Sequence, residues 1–208
     1  MILTATIMVA VFVALSPVAV ARAGNITGYR SAVFGMSEAE TRAAIAADFG
    51  VAANDIPRAT HDLQKTTILT IAVNGLVPGS GQAEISYVLG YQDHTLFQVT
   101  VLWRARDDSA AALGRLLLAA QSMINRFALL GFPDGHVAPG SVMGDGVKML
   151  FRSQDNHGKL ALIGLYSPSA SDGSGSAETS GKERPWLRVS FVRDAGAPDI
   201  FEIEPGQF

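Results

Sequence analysis

The chain has 208 residues, 48% of them apolar and none of them cysteine, with 16 Lys and Arg against 19 Asp and Glu for a net charge of −3. Its length suits one domain of ordinary size or two small similar lobes. The acidic balance argues against a nucleic-acid partner, which needs a clustered basic surface, and the missing cysteine excludes disulfide staples, thiolate metal sites and a lipidated amino-terminal cysteine.

The first element is an uncharged apolar run from Ile7 to Val20 that ends in Ala21-Arg22-Ala23, a small-residue cleavage site. The run is shorter than the ~20 residues a spanning helix needs, and Ser16-Pro17 interrupts it. Residues 1–23 therefore read as a signal peptide, with the mature chain beginning near Gly24. The alternative is a retained membrane anchor, because no Lys or Arg precedes the apolar run. Cleavage would remove Arg22, leave 185 residues at net −4, and free the chain of any membrane span. Export without disulfides fits a bacterial periplasm, or the extracellular space, with stability supplied by the core.

Tyr29–Phe34 is expected as a short strand. Gly35-Met36-Ser37-Glu38-Ala39-Glu40 then opens a helix, with Ser37 as N-cap and Glu40 reaching back to complete a capping box. This helix is expected over about 38–49, stopped by Gly50, with Ile45, Ala46 and Phe49 on one face. After a polar connection containing Asn54-Asp55 and Pro57, the pattern becomes alternating. Strands are expected over 67–73, 82–89 and 96–103, the last with Phe97, Val99, Val101 and Trp103 on one face. The turns between them, at Pro78-Gly79-Ser80-Gly81 and Gly90–His94, are short enough for an antiparallel meander.

A longer helix is expected to begin at Asp107-Asp108-Ser109 and run to about Leu130, ended by Gly131 and Pro133. Leu113, Leu116, Leu117, Ala120, Ile124 and Phe127 form its apolar stripe, wide enough to lie across a sheet. Three further strands follow over 146–151, 159–166 and 186–193, the first two joined by Asp155-Asn156-His157-Gly158. Segment 167–181, almost wholly Ser, Gly, Ala and acids, is expected to be a mobile loop, since it has too little apolar surface to offset its ordering entropy.

The fold class is α+β, with two helices packed on antiparallel meander sheet. Two arrangements are open: two helix-plus-three-strand units side by side in a pseudo-twofold manner, divided at about 24–105 and 106–208, or one continuous sheet carrying both helices.

Chemistry is sparse. His61, His94, His136 and His157 are far apart and lack metal-ligand spacing, so they read as loop imidazoles. No G-x-S-x-G nucleophile elbow is present; Gly79-Ser80-Gly81 and Gly140-Ser141 have the glycines of turns, and Gly144-Asp145-Gly146 lacks the rest of a phosphate loop. Asp107 and Asp108 suit a helix start, while Asp93, Asp145 and Asp155 suit turns. Asn25-Ile26-Thr27 is formally a glycosylation sequon. No cofactor, metal site or catalytic residue is implied.

Two strand ends place a large aromatic beside guanidinium groups: Trp103, Arg104 and Arg106 at one, Arg184, Trp186 and Arg188 at the other. Such residues make interface hot spots when exposed together. The competing reading is that each Trp plugs the core while the arginines reach solvent.

Phe34-Gly35-Met36-Ser37-Glu38-Ala39-Glu40, leading through a helix to a three-stranded meander, resembles the helix start of small exported bacterial domains of the β-lactamase-inhibitor-protein-like and SmpA/OmlA-like families. The resemblance covers this motif alone, and Thr41 replaces the usual Val. It implies helices on an antiparallel sheet and a non-enzymatic role in binding other proteins, and it transfers no site residue. The expectation is thus an exported protein that binds another envelope protein or stabilises an assembly, in an oligomeric state left open. The rivals are a hydrolase with scattered His and Asp in a cleft, and a small-ligand binder on the helix-free face of the sheet.

Overall fold

A computed structural model describes residues 24–132, 147–167 and 184–202. The described residues form two helices, a two-stranded hairpin and one seven-stranded antiparallel sheet, an α+β fold.

Helix α1 spans Glu38–Phe49. The Ser37 hydroxyl accepts the Glu40 backbone N–H at 3.4 Å, and the Glu40 carboxylate accepts the Ser37 N–H at 2.8 Å, so two otherwise orphaned donors are satisfied reciprocally. The Ser37 hydroxyl, donating to the Glu40 carboxylate at 2.7 Å, and then the Ser37 N–H hold that carboxyl below its ordinary range. Gly50, at φ +67°, ends the helix in the left-handed conformation that glycine adopts without a Cβ penalty. The buried face is Thr41, Ala44 and Ile45, with Phe49 half-buried beside it.

The amino-terminal strand is shorter than expected. Arg30, at φ +54°, reverses the chain, so Tyr29–Phe34 becomes two paired fragments, β1 (Gly28–Tyr29) and β2 (Ala32–Val33), around an Arg30-Ser31 turn. A further strand, β3 (Arg58–Thr60), lies in what was read as polar connection and pairs antiparallel with β4 (Thr67–Asn74). The meander continues through β5 (Gln82–Leu89) and β6 (Leu96–Arg104). A register shift at Val88/Leu89 puts Leu96, rather than Phe97, opposite Leu89. That bulge explains why Phe97 is buried yet stands outside the main core, while Leu96, Val99, Val101 and Trp103 belong to it.

Helix α2 spans Ala110–Leu129. Its N-cap is Ser109, whose hydroxyl accepts the Ala112 N–H at 3.1 Å, and Asp107 supports the cap by accepting the Ser109 N–H at 3.0 Å. The helix therefore starts after the acids rather than at them. Its buried stripe is Ala112, Leu116, Ala119, Ala120, Met123 and Phe127. Leu117, expected inside, is 45% exposed, because small alanines occupy the closest approach to the sheet.

Strands β7 (Val147–Gln154), β8 (Leu160–Tyr166) and β9 (Trp186–Val192) form the second meander. The order β3-β4-β5-β6-β9-β8-β7 joins the two meanders through an antiparallel β6–β9 seam, with Val99 opposite Phe191, Val101 opposite Val189 and Trp103 opposite Leu187. Two helix-plus-meander units thus share one continuous sheet, which combines the two expected arrangements. Both helices contribute to the one core with the inward residues of the strands.

The β1–β2 hairpin lies over the seam, with the Tyr29 ring 5.4 Å from that of Phe191. The preceding segment is pinned where the Gly24 N–H bonds the Gly131 carbonyl at 2.7 Å and the Ile26 N–H bonds the Asp155 carboxylate at 3.1 Å. No helix among the described residues is long and apolar enough to cross a membrane. The leader at 1–23, most of the 167–181 loop, His136, Ser141 and Gly144-Asp145-Gly146 lie outside the described residues.

Candidate functional site

Strand alternation sorts the six residues of the two aromatic and arginine clusters. Trp103 shares the parity of Val99 and Val101 and is fully buried. Its indole N–H donates to the Ser80 hydroxyl at 3.1 Å, and Ser80 in turn donates to the Val77 carbonyl at 2.7 Å. The Gly79-Ser80-Gly81 turn, with both glycines at positive φ, thus presents a hydroxyl to the one polar atom of a core tryptophan. Trp103 plugs the end of the core and offers no ring to a partner.

The other five residues lie at one end of the sheet. Arg104 and Trp186 are opposite each other across the seam, and Trp186 is opposite Tyr166 of β8. All three therefore project from the helix-free face. The Trp186 and Tyr166 rings are stacked at 5.4 Å and 16°, and the Arg188 guanidinium lies 5.4 Å from the centroid of the Trp186 ring on the side chain's own face. Just beyond the seam, the Ala105 N–H bonds the Pro185 carbonyl at 2.8 Å, which brings exposed Arg106 and Arg184 alongside. Arg104 pairs with Glu84 at 3.6 Å, both groups well exposed.

A groove of about 590 Å³ continues from this cluster around the sheet edge, lined by Glu84, Leu102, Arg104, Arg106 and Arg115 among others. Asp107 lies within charge reach of Arg115 and Arg184, and its carboxyl is held low, first by hydrogen bonding to Ser109.

The scattered acids and imidazoles have structural tasks. Asp155 is buried at the β7–β8 turn and accepts the N–H groups of Ile26, His157 and Lys159 at 3.1, 2.8 and 3.0 Å. Burial alone would raise its carboxyl, but the three backbone donors keep it below the ordinary range. Asp93 accepts the Thr95 N–H at 2.8 Å and pairs with Arg193 at 2.9 Å. Those bonds outweigh desolvation and hold it ionised.

Asp199, which the sequence reading passed over, caps the same turn by accepting the Gln92 and Asp93 N–H groups at 3.0 and 2.9 Å. Its only sequence signal is its place in a Pro-Asp pair near the end of the chain. Nδ1 of His61 accepts the Gln64 N–H at 3.1 Å, and His94 and His157 are exposed in turns. Among the described residues no group of three His or acids is arranged to hold a metal ion.

No family model, no curated protein and no solved structure matches this chain.

Proposed function

We propose that this chain is an exported, non-enzymatic module of the bacterial envelope that binds a partner protein through the helix-free face of its sheet. The observation that carries the reading is the Trp186 cluster. An indole already stacked on Tyr166, with the Arg188 guanidinium against its ring, loses little rotamer freedom on binding and supplies the flat aromatic anchor that interface hot spots use. Arg104, Arg106, Arg184 and Arg188 surround it in a chain of net negative charge, so the complementary partner surface is an acidic segment.

Export is supported by the apolar run and Ala21-Arg22-Ala23. The resemblance of the α1 start to exported protein-binding domains supports the same direction, and an envelope protein as the partner.

The test uses the full chain and its Trp186→Ala variant as baits on an envelope extract, with captured proteins identified and their affinities then measured. The expected result is a partner whose affinity falls at least ~10-fold for Trp186→Ala at an unchanged melting temperature. A partner held equally by both baits overturns this face as the site. Amino-terminal sequencing of the native protein tests the compartment, with a start near Gly24 expected and Met1 on cytosolic material refuting it.

A further inference from the structure

On the opposite, helix-bearing side of the sheet, the β1–β2 hairpin leaves a groove of about 1030 Å³ between itself, the end of α1, the β4–β5 loop and the last turns of α2. Its floor is aromatic. Phe127 lies 5.2 Å from Phe132 and 5.6 Å from Phe191, ring to ring, and Met123, Leu76 and Val77 extend the apolar lining.

Two cations line the walls of this floor: Arg30 and Arg126, both exposed. Neither has an ion-pair partner among the described residues. The acid on the wall, Asp48, is committed elsewhere, accepting the Ser31 N–H at 3.0 Å and the Ser31 hydroxyl at 2.7 Å. Arg30 donates to the Asp48 backbone carbonyl at 3.5 Å, and its guanidinium lies 4.6 Å from the centroid of the Phe49 ring and 5.9 Å from that of Tyr29.

The placing of Arg30 is costly. It occupies the first position of a two-residue hairpin turn at φ +54°, a conformation that glycine and asparagine take more readily. Strain of this kind collects at ligand sites. Behind it, the Tyr29 phenol is pushed up by burial and feels both Arg30 and Arg126, so the two cations address one locus. The buried Tyr87 hydroxyl, which has no hydrogen-bond partner among the described residues, senses Arg30 and Asp48 as well.

An apolar aromatic trough of this volume suits a small molecule rather than bulk water, and unpaired guanidiniums at its walls select a negative head. We propose that the groove binds an anionic amphiphile, its carboxylate or phosphate head held by Arg30 and Arg126 and its hydrocarbon tail laid on the half-buried Phe132 and Leu76, with the buried Phe127 and Phe191 rings as the support beneath. A hydrophilic acidic peptide would satisfy the arginines but leave the aromatic floor without a matching surface. This site is separate from the Trp186 cluster and does not rest on it.

Titration calorimetry of the full chain with octanoate, decanoate, dodecanoate, dodecyl phosphate and neutral dodecanol, each below its micelle concentration, tests the proposal. Affinity should rise by about fourfold per methylene through the alkanoate series. Dodecanol should bind at least ~10-fold more weakly than dodecanoate, and Arg30→Gly and Arg126→Gln should each cost about 10-fold for the anions. Whichever of dodecanoate and dodecyl phosphate binds more tightly identifies the head group.

Arg30→Gly relieves the turn strain, so its melting temperature should not fall while its affinity does, a split that mere structural damage would not produce. Arg126→Gln sits on an exposed helix position and guards against a hairpin that fails to form. Dodecanol binding as tightly as dodecanoate, both variants binding like the wild type, or no binding by any alkanoate would overturn the proposal.

Discussion

Asp155 is the position where one atom change should do most damage to this fold. Its carboxylate bridges elements 129 residues apart, taking the N–H of buried Ile26 while also closing its own turn through His157 and Lys159. Hydrogen bonds to a charged acceptor contribute about 1.5–3 kcal/mol each, and a buried donor left unpaired costs about 1–3 kcal/mol. The two turn bonds can be replaced in part by water, because His157 is exposed, whereas the Ile26 N–H cannot. Asp155→Ala should therefore cost about 3 kcal/mol, which for a chain of this size lowers the melting temperature by about 6–12 °C. Asp155→Asn keeps the shape but turns one acceptor into a donor facing an N–H, and should cost nearly as much.

The pH dependence sharpens the test. The folded carboxyl lies below the ordinary value of 3.8, so its stabilisation is complete above that value and is lost as the pH falls through the lowered folded value. The stability gap between wild type and Asp155→Asn, read from urea midpoints at unchanged slope, should be constant from pH ~7 to ~4 and close below that. A gap that persisted unchanged at pH ~2, or an Asp155→Ala cost under about 1 kcal/mol, would refute the reasoning.

Ser80→Ala removes the hydroxyl to which the buried Trp103 indole N–H donates and should destabilise by about 1–3 kcal/mol by chemical denaturation, while Trp103→Ala should cost about 3–5 kcal/mol. Gly90→Ala places a methyl group against the Asp93 and Asp199 carboxylates. It should detach the 194–202 segment, seen as faster exchange of the Gln92 and Asp93 amides, and intact protection there would count against it. Tyr87→Phe deletes a buried hydroxyl that has no partner among the described residues, so stability should hold or rise by up to about 1 kcal/mol; a loss of that size in thermal melts would show the hydroxyl to be bonded.

Local grammar made much of the fold legible. Ser37 and Glu40 mark a helix start by chemistry confined to four residues, and parity within β6 already put Trp103 with Val99 and Val101 and Arg104 on the other side. What depended on distant pairing was not legible. The bulge that displaces Phe97 arises from the register with β5, and β3 is a three-residue edge strand whose existence rests on main-chain bonds to β4 rather than on any alternation in Arg58-Ala59-Thr60. Of the candidate site, Trp186 and Arg188 share a face because they are two apart on a strand, but the Tyr166 stack needs the β8–β9 register. The Arg30 and Arg126 groove draws on four separate elements, and no local pattern announces it.

The seam gives both candidate sites a common origin. Each helix arises within its own unit, α1 with the four strands β3–β6 and α2 with the three strands β7–β9, and the amino-terminal hairpin lies over the join of the two, where Tyr29 packs on Phe191 of β9. A hairpin of two two-residue strands fills a gap less completely than a helix, so a trough remains beside it on the covered face. On the bare face the same join brings Arg104 of one unit against Trp186 of the other. Because Asp155 ties the hairpin's approach to the second unit, Asp155→Asn should slacken the trough while leaving the Trp186 cluster, built wholly within β6, β8 and β9, in register. Amphiphile affinity should fall in that variant and partner affinity should not; equal losses in both would mean that the two faces are not separately supported.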